Sequence, residues 1–213
     1  MMALLGGCAT THQGKVEAAI FTRSAAAPAN LPGSRVALLL APQVRATMYL
    51  GEALIDAAWV NEHVQVPIGP IVEAAALAAL GEAMGGGVLQ LDPASPAGGF
   101  SATLAVDAVR FEYHDKLLYV IPLPLPGLPL VIESEVDVRL AFDTRLLDGL
   151  AHVVWTRIYD AGLETWKCPV KSREVSADGI VRMAHEAAWR LARQASQDLA
   201  DWLESERNKP REL

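Results

Sequence analysis

Hydrophobic residues recur along this chain in two rhythms, and each switch between them marks a new element. From Val131 to Asp143 the period is two: Val136, Val138, Leu140 and Phe142 face one way, and Glu135, Asp137, Arg139 and Ala141 the other. Leu150 to Asp160 answers this strand across a turn containing Asp148-Gly149, which predicts an antiparallel hairpin. Ser101 to Tyr113 is a third, less regular strand. Arg35 to Ala41 is a continuous apolar run between Pro32-Gly33-Ser34 and Pro42, the pattern of a buried strand. Val88 to Leu91 is a short strand, followed by a loop from Asp92 to Gly99. Two stretches carry helical spacing instead. One starts at Pro67-Ile-Gly-Pro70, presents Ile71, Val72, Ala75, Ala78 and Ala79, with Leu77 and Leu80 widening the stripe, and stops at Gly85-Gly-Gly87. The other runs from Asp178, a plausible N-cap, to Ser205, with Ile180, Met183, Ala184, Ala187, Leu191, Ala195, Leu199 and Trp202 on one face. Residues 43–64 are apolar without a clean period.

This order predicts an α+β fold, a mainly antiparallel sheet with two helices packed on one face. The expected organisation is a signal remnant over residues 1–8, a tether over 9–34, a single domain over 35–205 and a polar tail over 206–213. The polar alternate face of the hairpin implies that one side of the sheet is solvated or meets a polar partner.

Composition narrows the function. The chain has 213 residues and carries a net charge of −7, with no run of Lys and Arg. Nucleic-acid binding needs a basic footprint, so no nucleic-acid partner is expected. Docking on anionic lipid by charge is disfavoured for the same reason. No stretch reaches the roughly 18 apolar residues of a membrane-spanning helix. Any membrane attachment must therefore be hydrophobic.

The amino terminus supplies one. Leu5-Gly6-Gly7-Cys8, followed by a stretch rich in Ala, Thr, Ser and Pro, resembles the lipobox of bacterial lipoproteins. There the small residues let the peptidase approach the backbone, and the cysteine thiol becomes the thioether anchor. Seven residues before the cysteine are too few for a basic region plus an apolar core, so the start is expected upstream or the first residues are a remnant of a longer signal peptide. Ala9 follows the cysteine where many lipoproteins kept in the inner membrane have Asp. The resemblance therefore implies the periplasmic face of the outer membrane. It also implies two or three acyl chains on Cys8, palmitate among them, and one chain alone would bind only marginally. As a flexible coil of about 26 residues, the tether would reach roughly 25–30 Å; the apolar patch Val16 to Phe21 is an alternative docking strand. Strand, helix, strands and helix behind a lipobox resemble small auxiliary lipoproteins of envelope machines, those of lipid-transport ABC systems, of lipopolysaccharide assembly and the first domain of curli-type secretion lipoproteins. The resemblance implies a non-enzymatic accessory or assembly subunit with an envelope protein partner. The alternative is a lipid-anchored carrier holding a small apolar ligand between helix and sheet. A homo-oligomer is compatible with either.

Catalytic and metal motifs are missing from the sequence: no Gly-x-Ser-x-Gly, no phosphate loop, no His-Glu-x-x-His, no Cys-x-x-Cys. No enzyme activity, cofactor or metal site is expected. His185-Glu186 lacks a second His and reads as an exposed helical pair, and His63, His114 and His152 are dispersed. Ser101, Asp107 and His114 share a segment without triad spacing, and Glu133, Glu135 and Asp137 could hold a cation but fit a solvated strand face. The two cysteines are either a disulfide or separate; with lipid on Cys8, Cys168 is a free thiol on a loop after the second hairpin strand.

One segment is unusual. Ile121-Pro-Leu-Pro-Leu-Pro-Gly-Leu-Pro-Leu130 cannot be a central strand, because each proline removes a ladder donor. Prolines also stiffen the chain towards polyproline II, holding Leu123, Leu125 and Leu128 out at little entropic cost. These leucines either cover a sheet edge or form a contact tip for lipid, a membrane partner or another subunit.

Overall fold

In the computed structural model, residues 11–13, 35–54, 61–85, 88–92, 99–121, 130–168 and 177–209 are described. The elements are β1 (Thr11–Gln13), β2 (Val36–Leu40), α1 (Pro42–Arg45), β3 (Tyr49–Leu54), β4 (Asn61–Val66), α2 (Ile68–Met84), β5 (Val88–Leu91), β6 (Ala102–Ile121), β7 (Leu130–Asp148), β8 (Val153–Cys168) and α3 (Ala177–Arg207). They form an α+β fold with a five-stranded sheet in the order β5-β2-β6-β7-β8 and a smaller sheet in the order β1-β4-β3.

The large sheet is mixed. β6, β7 and β8 are antiparallel, whereas β2 runs parallel to both β5 and β6. The expected antiparallel character therefore holds for the long strands only. The reason lies in the connection: α2 intervenes between β2 and β5, and parallel neighbours need such a crossover. The hairpin strands are longer than their alternating segments, since β7 reaches Asp148 and β8 reaches Cys168. Cys168 accordingly ends a strand, opposite Ser134, rather than lying on a loop.

Period two sets the core face of β7: Val136, Val138, Leu140, Phe142 and Leu146 are buried, and Arg139 between them is exposed. Ala141 is buried on the outer face as well. α3 packs against β7, β8 and α2, and α2 against β2 and β5. Both helices put alanines into the shared core, Ala75, Ala76 and Ala79 from α2 and Ala184, Ala187, Ala188, Ala192 and Ala195 from α3. Ile180, Leu191 and Leu199 of the α3 stripe are buried to 1% or less. The helix starts at Ala177, so Asp178 lies in its first turn rather than at the cap, and it runs through Arg207 into the expected tail. α2 ends at Gly85, whose φ of 67° is the left-handed conformation that favours glycine there. Gly69 is required for a different reason: a Cβ would lie 2.3 Å from the Val44 carbonyl oxygen and 2.4 Å from that of Arg45. This bare backbone lets α2 start directly against α1, with the Gly69 N–H donating to the Thr47 carbonyl at 2.8 Å.

The small sheet occupies part of the stretch that had no clear period. β3 and β4 pair antiparallel from Tyr49↔Val66 to Leu54↔Asn61. β1 adds in parallel, Thr11 beside His63 and Gln13 beside Gln65. Residues 11–13 are thus a strand inside the expected tether. The proposed docking patch Val16 to Phe21 lies outside the described residues.

Candidate functional site

The two sheets leave a cleft between them. Among the described residues, β6 pairs with β2 only as far as Val106, and beyond Ala108 its ladder continues with β7. β3, the edge of the small sheet, packs against this part of β6. The cleft has a volume of about 520 Å³ and is lined by Thr47, Met48, Tyr49, Leu50, Ile68, Val109 and Phe111, with Arg110 and Glu112 alongside. Its wall is aromatic. The Tyr49 ring meets Phe111 edge-on at 5.3 Å between centroids and Tyr113 at 5.9 Å. Gly51 makes room for this arrangement, since a Cβ there would lie 2.2 Å from the Tyr49 hydroxyl oxygen. Met48 (43% exposed) and Leu50 (66% exposed) are apolar surface nearby. Such a lining can hold an apolar group by burial and orient it by one polar contact.

The outer face of the large sheet has a different chemistry. Arg145 binds Asp107 through two hydrogen bonds of 2.6 and 2.7 Å, Arg110 binds Asp143 at 2.7 Å and Arg139 binds Asp160 at 2.6 Å. The Thr165 hydroxyl donates to Asp137 at 2.6 Å. Hydrogen bonds from Arg139 and from the Gly162 N–H hold the Asp160 carboxyl below the usual carboxylate range. These cross-strand pairs reinforce register, though solvent screening leaves each exposed pair a small contribution. A shallow cavity of about 170 Å³ lies over Ala141, lined by Arg110, Glu112, Arg139 and Asp160.

A third cluster joins α3 to β8. Asp198 accepts from Arg157 and from the Tyr159 hydroxyl, the latter at 2.6 Å, and Arg190 pairs with Glu164. Burial first, and then the neighbouring Asp198, push the Tyr159 phenol well above its ordinary value. Arg157 also stacks 5.0 Å from the Trp155 ring.

The sites expected from sequence fall differently. Cys8, Leu123, Leu125 and Leu128 lie outside the described residues. The segment carrying the leucines joins the far ends of β6 and β7, next to the pair Ile121↔Leu130. Ser101, Asp107 and His114 do not converge. Asp107 is held by Arg145, Ser101 Oγ accepts from the Arg35 N–H at 3.3 Å, and His114 lies seven residues along the strand from Asp107, roughly 23 Å. Asp137 is engaged by Thr165, and the side chain of Glu133 is outside the described set. Among the described residues no group of three or more His, Cys, Asp or Glu side chains could hold a metal. His185 corrects the expectation of an exposed pair: its side chain is completely buried while Glu186 is exposed, and burial pushes its pKa down to about 4. The cleft residues themselves were not anticipated. Tyr49 and Leu50 are followed directly by Gly51-Glu52, which breaks any apolar alternation, so no periodic signal pointed to them.

No protein-family model and no curated protein matches the chain. Among solved structures it is similar to a Xanthomonas campestris protein of family DUF330, at 13% identity and a TM-score of 0.43, over 93% of this chain and 99% of that one. It is also similar to an uncharacterized lipoprotein B of Nitrosomonas europaea, at 16% identity and 0.41, over 86% and 95%. The rare lipoprotein B of Shewanella oneidensis is similar at 10% identity and 0.41, over 82% and 100%. Likeness at these scores carries no argument for function.

Proposed function

We propose that this chain is a lipid-anchored, non-enzymatic accessory or assembly subunit of a bacterial envelope system, held at the periplasmic face of the outer membrane through acyl chains on Cys8. The observation that carries this reading is Leu5-Gly-Gly-Cys8 placed just ahead of a folded domain. The position of β1 refines the attachment. Only Ala9 and Thr10 separate Cys8 from the strand that begins at Thr11 beside His63. Three residues of extended chain span at most about 10 Å, so the domain would sit close to the bilayer instead of riding a 25–30 Å tether.

The partner surface in this reading is the proline–leucine segment. The β6–β7 ladder continues fifteen residues past Val106, roughly 50 Å along the strand, before reaching Ile121. β8 follows it only to Ser134↔Cys168, so the last rungs lie beyond the other described strands of this sheet. The segment with Leu123, Leu125 and Leu128 connects these last rungs in sequence, which supports its choice as the partner contact. Replacing all three with Ser is expected to leave the melting temperature within about 1 °C and to abolish crosslinking to envelope proteins in cells. A strongly destabilised triple variant would assign these leucines to the core by ordinary burial energetics and overturn the contact role.

A second reading, the carrier of a small apolar ligand, is favoured by the aromatic cleft. It moves the expected ligand from between helix and sheet to between β3 and β6. Val109→Arg would fill the cleft, and at least tenfold weaker binding of a fluorescent fatty acid is then expected. Unchanged binding by that variant would remove the carrier reading.

A further inference from the structure

Among the described residues β8 is an edge of the large sheet, and its outer side carries two exposed apolar side chains, Ile158 at 64% and Leu163 at 62%. Long exposed edges invite pairing, and proteins blunt them with Lys, Pro, inward charges or bulges. Between Val153 and Thr165 there is neither Lys nor Pro. We infer that β8 pairs antiparallel with β8 of a second copy of this chain, about a two-fold axis at Asp160, whose carboxylates meet across the axis with each held by Arg139 of its own copy, so that the sheet continues through both copies.

The strand is complementary to itself in this register. Counting outward from the axis, Ile158 comes opposite Leu163, Arg157 opposite Glu164 and Thr156 opposite Thr165. Apolar, opposite-charge and Thr–Thr pairs are cross-strand combinations that stabilise antiparallel sheets. In a regular strand the register would fail. Residues directly opposite must share a face, and neighbours such as 160 and 161 point to opposite faces. The bulge removes this obstacle. Arg139 and Ala141, two apart on β7, meet Leu163 and Asp160, three apart on β8. The additional residue is accommodated at Gly162, whose φ is 74° and whose N–H donates to Asp160 Oδ1 at 2.8 Å. Thr156, Ile158, Leu163 and Thr165 consequently pair with Arg145, Asp143, Arg139 and Asp137, alternate positions on one face of β7. Both halves of β8 therefore present the same face and the same backbone phase to a two-fold mate. The bulge sets the register here, where it would otherwise protect an edge. On the other face Arg157 and Glu164 keep their own-copy partners Asp198 and Arg190, and each adds an opposite charge across the axis.

The test uses the full chain with Cys8→Ser and Cys168→Ser, carrying either Thr156→Cys or Thr165→Cys. Oxidation of an equimolar mixture of the two single variants is expected to yield a covalent dimer. Neither variant alone should do so, because its two thiols would lie nine residues out of register, roughly 30 Å apart. In sedimentation, the parent chain is expected to be dimeric at tens of micromolar. Ile158→Lys combined with Leu163→Lys should raise the dissociation constant at least tenfold without lowering the melting temperature. A parent chain that stays monomeric at about 100 µM would overturn the pairing. So would a dimer that crosslinks through like variants, or one that forms without the 156–165 crosslink.

Discussion

Leu191→Ala is expected to cost about 2–5 kcal/mol, the range for truncating a large aliphatic side chain in a core that can only partly collapse. Leu191 is 1% exposed near the middle of α3, among the core residues that α2, α3 and the large sheet share. Helices draw most of their stability from such packing rather than from propensity, and α3 is no exception despite its 31 residues. For a chain of this size the loss corresponds to a fall of roughly 5–15 °C in melting temperature. A denaturant melt checks it directly. A loss below about 0.5 kcal/mol would mean that α3 does not belong to the core and serves only a partner.

Acidification is expected to destabilise the fold through His185. Its folded pKa of about 4 lies below the value of roughly 6.5 in an unfolded chain, because complete burial penalises the imidazolium. The unfolded state therefore binds the proton first. Stability is unaffected by this group above pH 6.5 and falls as the pH drops from 6.5 towards 4, and the decrement levels off below 4 at on the order of 3 kcal/mol. The carboxyls of Asp148 and Asp160, held low by backbone N–H groups and by Arg139, are shifted in the same downward sense. Their stabilisation is present above the ordinary carboxylate pKa and disappears only at lower pH, outside this window. Urea melts at pH 7, 5.5 and 4.5 on the natural chain and on His185→Leu separate the two effects. The natural chain should lose stability across the series and the variant should show a flatter dependence. Equal slopes would show that His185 does not govern the acid response.

What the sequence disclosed follows the range of the signals. α3 and the β7–β8 hairpin were legible because their apolar spacing is local and long, as Ile180, Leu191 and Leu199 show for the helix and Val136 to Phe142 for the strand. Asp148 also marked the turn correctly. Its carboxylate accepts from the backbone N–H of Leu150 and His152 at 2.9 and 2.8 Å, although the left-handed residue proves to be Ala151 at φ 64°, not Gly149. The parallel placement of β2 was signalled only by the order strand–helix–strand, with no turn to fix it. β1 is three residues long and pairs with a strand some fifty positions away, and nothing in Thr11-His-Gln13 encodes that partner. His185 reads as a polar residue on a helix, and its burial emerges only when the other elements pack around α3. The cleft depends likewise on where β3 settles against β6, a tertiary outcome without a periodic trace in Tyr49 to Leu54.

Anchoring at Cys8 is the claim on which the functional account depends, and fatty-acid labelling measures it most directly. The chain would be produced in a Gram-negative envelope behind a functional signal segment and fed a clickable palmitate analogue. The natural chain should take up the label and fractionate with the outer membrane. Cys8→Ser should remain unlabelled and move to the soluble periplasmic fraction, with Cys168 a free thiol in both. Equal labelling of the two, no labelling of either, or a disulfide between Cys8 and Cys168 found by mass spectrometry would contradict the account.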